Sequence, residues 1–217
     1  MRLCDLTGEY DRLQQKYGAP ELDPIYHGGC EHGPDLCFVF MNPTGRNIAA
    51  SKDWNGLKAP WIGTRVIWNL FHRLDLLDAD IHEMIQRFRP NEWTEDFAAK
   101  VYENVEAHRC FITNLGKCTQ PDARLLPNSV YREYLSLLEQ ELSIVRPKAV
   151  VLFGNQVSSI VLGQKISVSQ YRKTCCEKTI AGTRYRFYPV YYPVGNGRFN
   201  MEKSIEDIRW ILDTQLH

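Results

Sequence analysis

The sequence predicts a three-layer α/β fold, in which a central, mostly parallel sheet of about four strands carries helices on both faces. Three short apolar runs predict buried strands, at residues 37–41, 108–114 and 148–154. Each run is too short for a helix and ends in turn residues, which is typical of strands buried on both faces of a parallel sheet. Stretches with helical spacing separate the runs, and this alternation favours a parallel sheet between two layers of helices.

A hairpin over residues 174–192 is predicted to supply the fourth strand, because two strand-like arms flank the turn at Ala181-Gly182. The second arm, residues 184–192, alternates before it enters the sheet. Residues 18–34, which lead to the first buried strand, are rich in Gly, Pro and His and are predicted to be irregular.

Helices are predicted wherever apolar residues recur at intervals of three and four. Thr64 is expected to cap one helix, which buries Val66 and the apolar residues that follow it. Asn155 is expected to cap another, and Thr94 to begin a third with acidic residues in its first turn. The predicted helices span residues 5–17, 64–74, one or two segments within 79–105 that break near Pro90, about 129–145, 155–163 and 201–216.

The length and composition favour one soluble globular domain over residues 1–217, with 44% apolar and 24% charged residues. The charged N-terminus and the absence of a long apolar run argue against a secretory signal and a membrane span. Seven cysteines, two of them adjacent at Cys175 and Cys176, argue against a disulfide framework. We therefore expect an intracellular, reducing environment.

The formal net charge of zero gives no support to a nucleic-acid partner. It does not exclude one, because an enzyme that visits DNA transiently needs only a local basic rim around its site.

Polar groups follow the predicted strands at the points where they end. Asn42 closes the first run and begins a turn of Pro, Thr and Gly, Asn114 closes the second, and Tyr192 follows the last. Because ligands bind beyond the carboxyl ends of strands in open α/β sheets, these residues are predicted to meet at one edge. The alternative for Asn42 is a side chain that satisfies its own turn.

Two amides at a pocket floor suit the recognition of a flat heterocycle, because an amide offers a donor and an acceptor side by side. Trp61, in a Pro-Trp-Ile-Gly turn, is expected to stack on such a ring, the alternative being a place in the core. The sequence has no Ser-His-Asp order, no P-loop and no G-x-G-x-x-G, which removes the usual hydrolase, phosphoryl-transfer and dinucleotide classes. The residues therefore predict a base-recognition pocket.

Four potential zinc ligands, His27, Cys30, His32 and Cys37, lie within eleven residues. Their spacing matches none of the common structural-zinc patterns, and a free Cys in a buried strand serves as a small hydrophobe. We predict no metal here, while an α/β interaction module that uses this region remains an alternative to base chemistry.

Four segments resemble the uracil-DNA glycosylase superfamily in order and spacing over roughly residues 35–165. Residues 41–45 (Met-Asn-Pro-Thr-Gly) resemble the motif in which an Asn-Pro-x-Gly or Asn-Pro-Gly turn ends the first strand. Residues 59–63 resemble the segment that supplies the stacking aromatic in the iron–sulfur branches, and residues 111–118 are close to Tyr-Ile-Thr-Asn-x-x-Lys-Cys. Residues 146–154 fit the segment of the family in which a Pro precedes an apolar strand that ends on Gly, here Pro147 and Gly154.

The chain departs from this family at two places. The last family motif is usually His-Pro-Ser, but the corresponding residues are Tyr192-Pro193-Val194, with no His nearby. The iron–sulfur branches need four cysteines, of which only Cys118 has a counterpart. We therefore expect neither a cluster nor any other cofactor, and interpret Cys118 as a buried thiol.

The resemblance implies a monofunctional DNA N-glycosylase, a hydrolase that flips a deaminated base out of the duplex and cleaves its N-glycosidic bond. It implies that Asn42 positions the water, while Met41 and Pro43 belong to the turn whose backbone touches the base. Asn114 would hydrogen-bond the pyrimidine edge and Trp61 would stack on the ring.

Where the family has the missing His, Tyr192 is our candidate donor to the base oxygen, and the competing candidates are Asn196 and the amides of Gly195 and Gly197 in the adjacent loop. Arg46, Lys52, Asn196 and Arg198 are candidates for contacts with DNA, although Arg198 is equally well explained as a solvated loop charge. The expected partner is DNA that contains damaged bases, and we expect a monomer. Alternatives are a glycosylase for hypoxanthine or xanthine, and a catalytically weak binder of damaged or single-stranded DNA.

Overall fold

The computed structural model describes residues 1–123 and 126–216, without the side chain of Asn196. In this part of the chain, six strands form one sheet in the order β1-β3-β2-β4-β6-β5. The strands are β1 (His27–Gly29), β2 (Leu36–Phe40), β3 (Cys110–Asn114), β4 (Ala149–Phe153), β5 (Cys176–Ile180) and β6 (Thr183–Val190). The neighbours among β3, β2, β4 and β6 are parallel, while β1 and β5 pair antiparallel at the two edges.

The α/β class and the mostly parallel sheet are therefore confirmed, but the sheet has six strands where about four were predicted. The additional strand β1 lies in a stretch that was predicted to be irregular. Three residues, two of them Gly, are too few to show any periodicity, and the pairing of His27 with Thr113 makes the strand. Gly28 is required there, because an added Cβ would lie 2.3 Å from Cε1 of Tyr102.

Helices cover both faces of the sheet, as predicted. In the described residues the α-helices are α1 (Thr7–Tyr17), α2 (Val66–Arg73), α3 (Ala79–Arg87), α4 (Glu95–Ala107), α5 (Asn128–Val145), α6 (Asn155–Leu162), α7 (Val168–Tyr171) and α8 (Met201–Gln215). Short 3-10 turns lie at Leu3–Leu6, Ile48–Ala50, Pro90–Glu92 and Gly195–Asn200. None of the helices described combines the length and the apolar character that crossing a membrane requires.

Alternate residues of each central strand enter two separate cores. Phe38, Phe40 and Phe153 pack with α2, α3, α4 and α8, whereas Val39 and Phe111 pack with α1, α5 and α6. This alternation follows from the two-residue repeat of a strand, and it makes the three layers of the predicted fold.

Local sequence signals located some helix starts and missed others. The Thr94 side chain accepts a hydrogen bond from the backbone N–H of Phe97 (3.1 Å) and caps α4, as predicted. Thr64 does not cap α2, because its hydroxyl donates to the carbonyl oxygen of Trp61 (2.7 Å) and Arg65 is the cap residue. Val66, expected in the core, is 52% exposed.

Asn155 is the first residue of α6 and not its cap, which is Gly154. Its side-chain oxygen accepts from the backbone N–H of Val168 (2.8 Å), so it joins α6 to α7. The hairpin of β5 and β6 turns at Ala181-Gly182, as predicted, and both turn residues have positive φ (46° and 80°). Such backbone angles match the twist of two-residue hairpins.

A buried ion pair joins the end of β3 to α5. Lys117 Nζ lies 2.8 Å from Glu141 Oε1, and both side chains are fully buried. Thr113, the penultimate residue of β3, donates its hydroxyl hydrogen to Glu141 Oε2 (2.9 Å). Burial lowers the pKa of Lys117 and raises that of Glu141, so each group needs the other to stay charged.

Removing one partner of this pair is expected to destabilise the fold. Glu141→Gln leaves the Lys117 ammonium buried against a neutral amide, which should cost about 3–5 kcal/mol of unfolding free energy, measured by urea denaturation. Glu139→Gln on the same helix is the matched control, because its partner Lys178 is only partly buried. This control should cost at most about 1 kcal/mol. Equal losses in the two variants would contradict the prediction.

Candidate functional site

A cavity of about 230 Å³ lies beyond the carboxyl ends of the central strands. It occupies the edge at which ligands bind in open α/β sheets. Six of the residues predicted from the sequence line it together: Asn42, Pro43, Arg46, Trp61, Asn114 and Tyr192.

Asn42 follows β2 by two residues and is partly buried. Its Nδ2 donates to the carbonyl oxygen of Pro43 (3.0 Å), which is the local turn bond that the simpler interpretation of this residue expects. Its Oδ1 accepts from the hydroxyl of Tyr131 on α5 (2.5 Å). The side chain is therefore held from two sides while it lines the cavity, so turn formation alone does not account for its place.

Asn114 is the last residue of β3, with only 2% of its surface exposed. Its Nδ2 is buried and has no hydrogen-bond partner among the residues described. An unpaired buried donor costs about 1–3 kcal/mol, so native structures rarely leave one without a reason. A donor without a partner that lines a cavity indicates a place for an acceptor of a ligand.

Trp61 is partly buried, and its ring packs edge-on against Phe40 with centroids 4.9 Å apart. Its backbone has φ of 68°, which is uncommon for a bulky residue and costly. Thr64 and Trp68 hold this conformation, because the Thr64 hydroxyl (2.7 Å) and the Trp68 indole N–H (3.3 Å) donate to the Trp61 carbonyl oxygen. The indole nitrogen of Trp61 is buried without a partner among the described residues.

Asn47 joins the two loops that carry Arg46 and Trp61. Its Oδ1 accepts from the backbone N–H of Ala49 (3.0 Å), and its Nδ2 donates to the carbonyl oxygen of Ala59 (2.8 Å). It is a buried cavity-lining residue that the sequence analysis did not single out, because an Asn in a polar loop carries no distinguishing signal.

Tyr192 follows β6 and stands edge-on to Phe40 and Phe153, with centroids 6.1 and 6.5 Å away. Burial raises the pKa of its hydroxyl above the ordinary value of 10, so the phenol stays protonated at neutral pH. Gly197 lets the next loop fold back over this residue, since an added Cβ would lie 2.0 Å from the Tyr192 carbonyl oxygen.

Three other predicted site residues, Met41, Lys52 and Arg198, lie outside the cavity lining. The Met41 side chain is partly buried and packs against the core that includes residues of α1 and α5, and its carbonyl oxygen accepts from the backbone N–H of Gly116 (2.8 Å). Lys52 and Arg198 are exposed, and the Arg198 guanidinium lies 4.8 Å from the centroid of the Phe199 ring. The side chain predicted at Asn196 lies outside the described residues.

The cysteine and histidine residues near β1 do not converge. The Cys30 thiol contacts the carbonyl oxygen of His32 (3.5 Å), while the Cys37 thiol is fully buried and its pKa is raised by burial. Burial and the Lys117 charge lower the pKa of His27 to about 3, so this residue is neutral. In the described part of the chain, no three His, Cys, Asp or Glu residues are grouped as a metal site would need.

The residues present do not fit an iron–sulfur cluster either. Cys118, the one cysteine with a counterpart in the iron–sulfur branches, is fully buried beside Gln120, whose Nε2 lies 4.0 Å from the thiol sulfur. Burial raises the pKa of this thiol, which opposes the thiolate form that binds metals.

Comparison with known families tests the resemblance seen in the sequence. The model of the uracil DNA glycosylase superfamily matches residues 29–212, which include the lining residues from Asn42 to Tyr192. A search among curated proteins finds no match. The members of the matching family are typically DNA glycosylases. Because the match extends over most of the sequence and over the cavity at the strand ends, the chain belongs to the uracil-DNA glycosylase superfamily.

Proposed function

We propose that this protein excises uracil from DNA by hydrolysing the N-glycosidic bond of a flipped-out nucleotide. The observation that carries the proposal is the buried Nδ2 of Asn114, which has no hydrogen-bond partner in the described part of the chain and belongs to a residue that lines the cavity with Asn42 and Tyr192. An enzyme must flip the nucleotide because the bond is inaccessible in a stacked duplex, and a mispaired uracil is cheap to extrude.

The free donor on Asn114 favours a base that presents a carbonyl oxygen at the facing position. Uracil and other deaminated bases carry such an oxygen, whereas cytosine carries an amino group there, which would place two donors against each other. A buried polar group left unpaired by the wrong base penalises that base strongly. The same argument keeps hypoxanthine and xanthine as alternative substrates.

Asn42 is proposed to orient the attacking water. The transition state of glycosidic cleavage resembles an oxocarbenium ion, so the developing positive charge itself makes the sugar carbon receptive to a neutral water. An amide is a weak base, and it is therefore suited to placing the water and not to deprotonating it.

Tyr192 is proposed to stabilise the anion left on the departing base. A protonated phenol in a partly dry cavity donates a hydrogen bond to that oxygen without any change of its own charge. The amides of Gly195 and Gly197, or Asn196, are the competing donors. The Trp61 ring is proposed to stack on the base and hold it in place.

Contacts to the DNA backbone are proposed for Arg46, Lys52, Asn196 and Arg198. Arg46 is exposed and also lines the cavity, which places a positive charge at its mouth. Because this group is small and the net charge is zero, the affinity for undamaged DNA should be modest, with a shallow dependence on salt.

A panel of oligonucleotides, each with one damaged base in single- or double-stranded form, tests the function directly. We expect release of uracil, with less or no release of hypoxanthine and xanthine. Preferential release of hypoxanthine or xanthine would support a glycosylase activity but with a deaminated purine, and not uracil, as its substrate. Binding of damaged DNA without release of any base would overturn the proposal in favour of a damaged-DNA binder.

Asn42→Ala should lower single-turnover cleavage of uracil-containing DNA by at least about one to two orders of magnitude, the range for losing a positioned catalytic group. Affinity for the same DNA, measured by fluorescence anisotropy, should persist because the lost group acts on the water. Asn55→Ala, the same change in an exposed loop, is the control. An unchanged cleavage rate in Asn42→Ala would remove this residue from the mechanism.

Asn114→Asp should reduce uracil cleavage at pH 8 by about tenfold or more, since a carboxylate accepts hydrogen bonds but cannot donate to the base carbonyl. A protonated carboxyl regains one donor, so the ratio of variant to parent rates should rise when the pH falls towards 5. Parental rates at pH 8 would mean that Asn114 only terminates its strand.

Tyr192→Phe should slow cleavage roughly ten- to a thousandfold, the range for losing one donor to a developing anion. Because the pKa of Tyr192 is raised, its phenol stays protonated at and above neutral pH. The activity of the unmutated protein should therefore not fall between about pH 6 and 8, where a histidine would titrate. Single-turnover rates across this range measure both effects.

Tyr188→Phe is the control for this change. Tyr188 lies on β6, the strand that Tyr192 follows, but its hydroxyl donates to Gln215 at the end of α8 (3.2 Å) and it is not among the residues that line the cavity. If Tyr192→Phe is silent and Asn196→Ala is not, the loop supplies the donor. A parental rate that falls with the titration of an imidazole would argue against a phenol.

A further inference from the structure

The amide of Asn42 is fixed by a side chain that is distant in the sequence. Tyr131, on the first full turn of α5, is fully buried, and its hydroxyl donates to Asn42 Oδ1 at 2.5 Å. Asn42 Nδ2 donates in turn to the carbonyl oxygen of Pro43 (3.0 Å). Both ends of the amide therefore have a partner before any substrate arrives.

The direction of the hydrogen bond from Tyr131 follows from the other end of the Asn42 amide. Because Nδ2 donates to the Pro43 carbonyl oxygen, Oδ1 is the atom that faces the phenol, and an amide oxygen can only accept, so the phenol donates. Burial raises the pKa of Tyr131, which keeps that hydrogen in place at and above neutral pH. With the amide flipped, Oδ1 would face the Pro43 carbonyl, acceptor against acceptor, so one orientation is strongly preferred.

The contact depends on close packing at Gly116. A Cβ added there would lie 3.2 Å from Tyr131 Cε1, close enough that the ring would have to shift by a few tenths of an ångström, whereas its distance of 3.5 Å from Asn42 Cβ is an ordinary contact. The backbone N–H of Gly116 is itself bound to the carbonyl oxygen of Met41 (2.8 Å). The ends of β2 and β3 and the start of α5 are thus locked around a single amide.

We propose that Tyr131 is the positioning residue of this site, which orients the Asn42 amide so that the second lone pair of Oδ1 directs the attacking water. The inference rests on the proposed function, since it assigns a role within that reaction. An amide oxygen has two lone pairs, and the phenol occupies one of them. Without the phenol, the amide keeps only its turn bond to Pro43 and can rotate away from the reactive orientation.

Tyr131→Phe should therefore lower the single-turnover rate of cleavage by about ten- to a hundredfold, the range for a misplaced reactive group. The affinity for damaged DNA should stay within about twofold, because the phenol itself lies behind Asn42 and not among the residues that line the cavity. The effect should be constant between about pH 6 and 8, because neither the phenol of Tyr131 nor the amide of Asn42 titrates there.

Tyr134→Phe is the matched control, with the same chemical change one turn later on the same helix. Tyr134 is equally buried, but its hydroxyl lies beside the Cys118 thiol and away from Asn42. If Tyr131 only supports the fold, the two variants should lose melting temperature and activity alike. If it positions Asn42, only Tyr131→Phe should lose rate.

A double-mutant cycle gives the decisive readout. In an Asn42→Ala background, Tyr131→Phe should cost no further rate, because the amide that it orients is gone. The same tenfold or larger cost in both backgrounds would overturn the positioning role. Gly116→Ala is the second probe, since it displaces the Tyr131 ring while the phenol remains, and it should likewise slow cleavage only when Asn42 is present.

Different results would contradict the proposed function and the positioning role of Tyr131. A parent protein that releases no base from any oligonucleotide contradicts the proposed function, and the positioning role falls with it. A parent that releases uracil while Tyr131→Phe does so at the parental rate contradicts the positioning role alone.

Discussion

The pairing of β2 with β3 is the constraint on which the site depends. Phe40 stands opposite Asn114 in register, and the two chains continue side by side beyond the sheet. The backbone N–H of Gly116 binds the Met41 carbonyl (2.8 Å), and that of Gln120 binds the Pro43 carbonyl (3.1 Å). A slip of one residue would turn the terminal amides to opposite faces of the sheet. This register therefore places the proposed water-directing and base-reading groups in one cavity.

The same strand ends separate a structural face from a reactive one. Thr113 points into the core beside α5, where it meets the buried pair of Lys117 and Glu141, and the next residue, Asn114, lines the cavity. Both oxygens of the Glu141 carboxylate accept hydrogen bonds, whereas the Asn114 Nδ2 finds no acceptor among the residues that the structure describes. Polar groups that stabilise the fold form all their hydrogen bonds within the protein. A group that binds a ligand keeps a donor or acceptor free for that ligand.

The departure from the usual family motif changes the proposed electrostatics of the reaction. A histidine near its pKa can stabilise a departing base as a cation, but a buried tyrosine offers only a neutral donor. None of the described residues that line the cavity has a side chain that ordinarily titrates near neutral pH. The orientation of the attacking water then has to contribute more of the rate. This gives the hydrogen bond from Tyr131 to Asn42 its proposed importance.

Apolar periodicity and turn residues report local burial directly, so the class of the fold, the four parallel strands, the hairpin and the polar strand ends could be predicted from sequence alone. Three features depend on contacts between distant segments and could not be predicted: β1 is a strand, the Met41 side chain packs against the core, and Thr64 bonds to Trp61 and does not cap α2. The contact between Tyr131 and Asn42, which are 89 residues apart in the chain, is a fourth. Such contacts depend on strand register and helix packing, which no local pattern encodes. A buried tyrosine on the apolar face of a helix has the same sequence pattern whether or not its hydroxyl finds a hydrogen-bond partner.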